Sequence, residues 1–393
     1  MGSMAARVYL DWNATAPLRP QARALMAAAM DVVGNPSSVH SEGRAARRVV
    51  EEARERVAAL VGAQPESVVF TSCGSEANVL ALSPALQRDG ERAPRDRLLV
   101  SAIEHPSVCA GGRFPAGSVE EVPVTGHGIV DLGALERRLV ALGQQGSRPL
   151  VSVMHANNET GIIQPIATAA ELTHQVGGLL HVDAVQSAGK IPCDINVLGA
   201  DSMTLSAHKM GGPKGAGALV LADGVHFTDP LLKGGGQERG NRAGTENVIG
   251  IVGFGAAAEA AGGSLDHDAR QMAALRDCME ARLRQIAPDT VIFGTGERLP
   301  NTTLFAVAGL KAETALIALD LAGIAVSSGS ACSSGKVAPS HVLAAMAVSP
   351  ALAAGAIRVS LGATTTESDI EFFLKTWTAR IIGLSKDKCG LAA

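Results

Sequence analysis

Five side chains in this sequence stand where reactive groups are expected, and each has a structural alternative. Cys332 is the only sulfur in the run Ser327-Ser328-Gly329-Ser330-Ala331-Cys332-Ser333-Ser334-Gly335, whose other side chains are no larger than a hydroxymethyl group. Such a run buries too little apolar surface to offset the entropy of ordering it, so it reads as a mobile loop. A thiol on such a tether reads as a nucleophile that must travel, or as a cysteine in an ordinary Gly/Ser connection. Lys209, in Leu205-Ser206-Ala207-His208-Lys209-Met210-Gly211-Gly212-Pro213, directly follows a strand. A desolvated lysine there suits Schiff-base chemistry, and spacing alone leaves Lys214 as a second candidate.

Asp183 interrupts the apolar run Leu180-His181-Val182-Asp183-Ala184-Val185. A carboxylate in that setting is costly unless paired. It suits the cationic ring nitrogen of pyridoxal phosphate, and equally a structural salt bridge. Arg358, within Ile357-Arg358-Val359-Ser360, reads as a carboxylate clamp or a structural ion pair. His105 follows a strand and could stack on a flat ring, or be an uninvolved turn histidine. Thr71-Ser72-Cys73-Gly74-Ser75-Glu76-Ala77-Asn78 passes from strand through a turn to a helix start. Amides near Gly74 and the Ser75 hydroxyl there suit a phosphate, with Ser75 as a plain N-cap the alternative.

The elements that must position these groups follow from the apolar pattern. Seven strand candidates occupy 68–71, 98–103, 121–124, 150–154, 179–185, 203–206 and 218–221. Helical stretches separate several of them, including one from 75 to about 86, 132–142 and 166–176. Earlier helices are expected over 20–32 and 41–61, and a long helical region over 246–286. This alternation predicts an α/β fold with a mostly parallel sheet whose ligands gather at the carboxyl ends of the strands. Beyond about residue 260, strands near 291–293, 303–307 and 357–361 alternate with helices at 313–321, after Pro339 and to about 382. The pattern there is a smaller α+β unit.

Composition narrows the functional classes. The chain has 393 residues with 47% hydrophobic and 18% charged, as expected of a soluble globular protein with a substantial core. A net charge of −4 with 3% aromatics gives no basis for nucleic-acid binding. No apolar run reaches membrane-spanning length, and no signal-peptide core is evident near the start. The six cysteines are scattered without a C-x-x-C pair, so neither a metal site nor a disulfide framework is expected, and a reducing, cytoplasmic setting follows.

Taken together, the motifs resemble those of the cysteine desulfurases of the NifS/IscS type, pyridoxal-phosphate enzymes of fold-type I in the class V aminotransferase group. The resemblance runs along essentially the whole chain. It is carried by Asp11-Trp12-Asn13-Ala14-Thr15-Ala16-Pro17, Gly34-Asn35-Pro36-Ser37-Ser38-Val39-His40, Glu104-His105 and His155-Ala156-Asn157-Asn158-Glu159. The segments around Ser75, Asp183, Lys209, Cys332 and Arg358 add to it, as does Glu238-Arg239-Gly240-Asn241-Arg242-Ala243-Gly244-Thr245.

The resemblance implies a large cofactor-binding domain at 15–260 built on a seven-stranded sheet. A small domain at 261–393 would carry the loop 327–335, with residues 1–14 packed against it. Lys209 would hold pyridoxal 5'-phosphate covalently and move the proton, Asp183 would face the ring nitrogen, His105 would stack on the ring, and Gln186 would contact the ring oxygen. Gly74, Ser75, Ser206 and His208 would hold the phosphate, with Thr245 reaching the cofactor of a partner in a homodimer. Asn158, Arg358 and Asn13 would bind the substrate L-cysteine, and Asn158 would also touch the cofactor. Cys332 would take the sulfur as a persulfide and pass it to an acceptor or Fe–S scaffold protein, meeting a cluster there only transiently. Cys73 and Ser75 depart from the Gly and Thr usual in relatives. Another class V aminotransferase or lyase, such as a selenocysteine lyase, is the alternative.

Overall fold

The computed structural model describes residues 7–294, 296–329 and 339–381. Cys332 and most of the Gly/Ser run containing it therefore lie outside the described residues, as does the end of the chain.

Seven strands form the central sheet: β1 (Val68–Thr71), β2 (Arg97–Ser101), β3 (Val119–Val122), β4 (Pro149–Ser152), β5 (Leu179–Asp183), β6 (Ser202–Ser206) and β7 (Gly217–Leu221). Their spatial order is β1-β7-β6-β5-β4-β2-β3. β7 runs antiparallel to both its neighbours, and the other pairings are parallel. All seven predicted strands are present, with the third beginning two residues earlier than its sequence pattern suggested. The strands are apolar on both faces because both are covered. Leu99, Val151, Leu180 and Val182 belong to the core under one helical layer, while Leu98, Val100, Leu150 and Leu179 belong to the core on the other side.

Helices Pro20–Ala29 and Ser41–Leu60 pack on Val248–Gly263, and small residues set how closely they approach. A Cβ at Gly255 would lie 2.6 Å from the Ala53 Cα, and one at Gly253 would lie 2.6 Å from the Met26 sulfur. Two helical readings change. The helical region expected over 246–286 is divided into two helices, Val248–Gly263 and Leu265–Ile286, bent by 71° where Gly262 and Gly263 weaken the turn. The helix after Cys73 ends at Ala81 because Pro84 disfavours helical geometry before it, and Leu86–Arg88 instead pairs as a strand with Val225–Phe227. Among the described residues no single helix is long and apolar enough to cross a membrane.

A second, antiparallel sheet has the order Val291–Phe293, Thr302–Ala306, Ile357–Ser360, Ser327–Ser328. It has its own apolar core around Phe305, Phe373 and Trp377. The start of the expected loop is therefore a short edge strand, because Ser327 and Ser328 pair with Arg358 and Ile357. Near the N-terminus, Val8–Tyr9 pairs in parallel with Ile324–Ala325, and Asp11 bridges to Ser360. That path carries the chain from the second sheet to the carboxyl edge of the first. A glycine is required where it passes, since a Cβ at Gly362 would fall 1.9 Å from the Trp12 ring.

Candidate active site

A cavity of about 270 Å³ opens where the carboxyl ends of β2, β4, β5 and β6 meet the segment around Asn13. Asp183 is the last residue of β5, His105 follows β2 by four residues, and Lys209 follows β6 by three. All three line the cavity, as do Gly74, Ser75, Gln186, Ser206, His208, Asn158, Asn13 and Arg358. Thr245, expected at the cofactor of a partner rather than in this cavity, is exposed and lines a separate cavity with Thr71, Arg242 and Glu246. Cys332 lies outside the described residues.

The wall formed by the large sheet is closely hydrogen-bonded. Asp183 Oδ2 accepts from Asn78 Nδ2 at 2.9 Å, and Oδ1 accepts from the Val185 amide at 3.0 Å. Asn78 Nδ2 also donates to Ser107 Oγ at 2.9 Å, so its Oδ1 is the acceptor for His181 Nε2 at 3.2 Å. His181 Nδ1 then accepts from Ser202 Oγ at 2.9 Å, and burial pushes its pKa down to about 4. The imidazole is neutral at physiological pH, with one tautomer assigned by its neighbours.

His105 accepts the Ser107 amide at Nδ1, 3.2 Å away, and caps the helix Pro106–Cys109. Burial lowers its pKa; Asp183 opposes that shift while Lys209 and His341 add to it. Behind it, burial raises the Glu104 carboxyl to about 8, although Ser101 Oγ and the Met154 amide both donate to its Oε1 at 2.6 Å. Lys209 Nζ donates to the backbone oxygens of Asn13 and Ala14 at 2.6 and 2.9 Å.

An anion cradle stands at one end of the cavity. The Gly74 and Ser75 amides at the start of helix Gly74–Ala81 have no intrahelical acceptors, and both residues line the cavity. Here the structure corrects the N-cap reading: Cys73, not Ser75, caps the helix, its Sγ accepting from the Glu76 amide at 3.5 Å. Cys73 thus has a structural role, and Ser75 remains free for a ligand's use. A Cβ on Gly74 would lie 3.0 Å from Val185 Cγ2, so a side chain there would press into the wall. Ser206 Oγ is buried without a hydrogen-bond partner. Burial, then the charges of Lys209, Lys214 and Lys190, push His208 down to about 4.

At the other end, Arg358 is buried, donating from Nη1 to the Asn158 carbonyl at 3.0 Å and from Nη2 to Asp11 Oδ1 at 2.8 Å. Its Nε has no partner. Arg358 thus makes the ion pair expected of a structural arginine, and it also lines the cavity with one donor unpartnered. Asp11 Oδ2 accepts from Ser327 Oγ at 2.8 Å, and Glu159 Oε2 accepts from Ser340 Oγ at 2.5 Å. Burial raises the Glu159 carboxyl to about 7, with Ser340 and Arg358 pulling it back.

Sequence reasoning missed Asn78, Ser107 and Lys190. Asn78 ends a motif that was recognised and Ser107 lies two residues beyond His105, but nothing local distinguishes them from ordinary polar helix residues. Lys190 carried one signal, a lysine shortly after Asp183 and Gln186 in a largely apolar segment. Among the described residues, no group of three or more His, Cys, Asp or Glu is arranged to hold a metal.

A parallel-dominated α/β sheet whose strand ends present a lysine, an aspartate and an anion cradle to one cavity is the fold-type I arrangement of pyridoxal-phosphate enzymes. The aminotransferase class-V family model matches residues 8–373, and the chain belongs to that family. A cysteine desulfurase of Cereibacter sphaeroides is 44% identical over 376 residues, covering 94% of each chain. The cysteine desulfurase IscS of Dictyoglomus turgidum is 39% identical over 379 residues, covering 94% of this chain and 93% of its own. Among solved structures, the NifS-like protein of Rickettsia africae has a TM-score of 0.83 at 35% identity, over 95% of this chain and 98% of that one.

Proposed function

We propose that this chain is a pyridoxal-phosphate-dependent cysteine desulfurase that converts L-cysteine to L-alanine and holds the sulfur on Cys332. The observation that carries this reading is the convergence of Lys209, Asp183, the Gly74 cradle and Arg358 on one cavity. Relatives that match nearly the whole length are cysteine desulfurases, which supports the choice among class V reactions.

The residues present fit the cofactor. Ser206 Oγ lacks a partner, and Gly74 and Ser75 line the same cavity, so a phosphate accepting from that hydroxyl and the two amides would satisfy all three. His208 and Ser75 would complete that cradle. Asp183 would face the ring nitrogen, His105 would lie against the ring, and Gln186 would meet the ring oxygen. When bound, pyridoxal phosphate supplies a carbonyl for the substrate amine and a ring that accepts the electron pair released at Cα. Lys209 would be the base that takes the Cα proton and returns it. Arg358 would bind the substrate carboxylate through its unpartnered Nε, with Asn158 and Asn13 alongside.

Sulfur transfer is balanced without an external oxidant. The Cys332 thiolate attacks the substrate sulfur, an S–S bond forms as the C–S bond breaks, and the electron pair left on Cβ is protonated to give alanine. Cys332 must then reach an acceptor protein, which a segment free of bulky side chains permits. We further infer a homodimer in which the exposed Thr245 reaches the partner's cofactor phosphate. A cytoplasmic setting, delivery to Fe–S cluster or other thiocofactor assembly, and a division into 15–260 and 261–393 complete the reading. The separate sheets and separate apolar cores support that division.

Mass spectrometry of the holoenzyme after exposure to L-cysteine tests this reading. A single added sulfur on Cys332, with alanine released, is expected, and Cys332→Ala should bind L-cysteine spectrally yet yield almost no sulfide. Normal turnover by Cys332→Ala would leave another class V reaction, such as that of a selenocysteine lyase, in its place.

A further inference from the structure

A second lysine amine lies beneath the cavity floor. Lys190 follows Gly189, which adopts φ +76° where a Cβ would lie 3.0 Å from the Ala261 Cβ. The turn sends the Lys190 side chain back into the protein, where it is buried. Its Nζ donates to Gln186 Oε1 at 2.9 Å and to Asn13 Oδ1 at 3.2 Å. Lys190 itself does not line the cavity, whereas Gln186 and Asn13 both do.

These contacts determine the orientation of both amides. A lysine nitrogen that donates to Gln186 must meet its oxygen, so Nε2 is the other edge. That Nε2 donates one N–H to the Asn13 carbonyl at 3.0 Å, and its second N–H is what the amide can offer to the cavity. The same Asn13 carbonyl receives Lys209 Nζ. In Asn13, Oδ1 is held by Lys190 and by Asn301 Nδ2 at 3.1 Å, which leaves Nδ2 to donate to Asn158 and Thr302.

We propose that Lys190 is a positioning residue of the cofactor site, whose two N–H donations fix the Gln186 and Asn13 amides and so keep an N–H edge of Gln186 toward the cavity. Burial, reinforced by the cations Lys209 and Arg358, holds its amine well below the ordinary lysine range. The site thereby gains rigidly held donors.

This proposal rests on the cofactor reading above, and a four-way comparison separates the two. The pH midpoint of the visible absorption of the cofactor-loaded protein is measured in wild type, Lys190→Met, Gln186→Ala and the double variant. With Lys190→Met, the Gln186 amide is free to turn its oxygen toward the ring oxygen. The midpoint is then expected to rise by about one unit, a tenfold change in proton affinity, with cofactor stoichiometry retained. In the Gln186→Ala background the same substitution should produce no further shift. An equal shift in both backgrounds would identify a through-space charge effect and overturn the proposal, as would no shift in either. A wild-type protein that takes up no coloured cofactor defeats the cofactor reading instead. Should Lys190→Met fail to fold, Lys190→Leu, which likewise cannot donate, is measured the same way. Failure of both to fold would mark Lys190 as a residue the fold itself requires and would also overturn the proposal.

Discussion

The two walls of the cavity are built on different principles. On the large-sheet side each oxygen of Asp183 receives an N–H, and Asn78, His181 and Ser202 continue the chain of donors and acceptors inward. A network satisfied in this way holds one geometry. On the side of the second sheet, Arg358 retains an unpartnered Nε, and its carboxylate partner Asp11 is shared with Ser327. Glu159, with a pKa near 7, holds Ser340. Ser327 and Ser340 flank the sequence that contains Cys332. The first wall suits a permanent resident and the second an arriving anion. A preorganised site needs the former for the cofactor and the latter for a substrate that comes and goes.

The contrast is tested most severely at Lys209, the reactive group of the first wall. Lys209→Ala should give a colourless protein with turnover reduced on the order of 10³-fold or more. Visible spectroscopy and alanine release check this, and an unaltered spectrum would remove Lys209 from its role. Next comes the second wall. Arg358→Ala should act mainly on KM for L-cysteine, by about 2–5 kcal/mol in binding, with cofactor stoichiometry intact. If it instead released the cofactor, the division of labour between the walls would be lost.

The smallest effect is on stability at Glu159. Its carboxyl titrates near 7 when folded against an ordinary value of 4.5. Between those values the folded chain keeps a proton that the unfolded chain has released, so stability falls as pH rises through this window, by up to about 3 kcal/mol. Chemical denaturation of Glu159→Gln across pH 4.5–7 should show that slope flattened relative to wild type. An unchanged slope would assign the dependence to another group.

Much of this was legible before any coordinates. The central strands are short apolar runs, and Asp183 and Lys209 stand out because a charge at the end of such a run requires a reason. The errors were local competitions lost: Pro84 ended a helix early, Gly262 and Gly263 bent another, and the Cys73 sulfur took the cap expected of Ser75. The sequence pattern could not show that Ser327 and Ser328 form an edge strand, since their partners lie some thirty residues away at Ile357 and Arg358.

By itself, then, the sequence determined the alternating architecture, the residue types at the strand ends and the family they resemble, because periodicity, turn chemistry and motif spacing act over a few residues. Tertiary structure alone decided which distant groups meet. Asn13 gathers Asn158, Gln186, Lys190, Lys209, Asn301 and Thr302, and Asp11 joins Arg358 to Ser327. Those contacts depend on sheet order and on the packing of the N-terminal segment between the two sheets, and no local pattern encodes them. The same packing buries Lys190, so its place in the site emerges only from the fold.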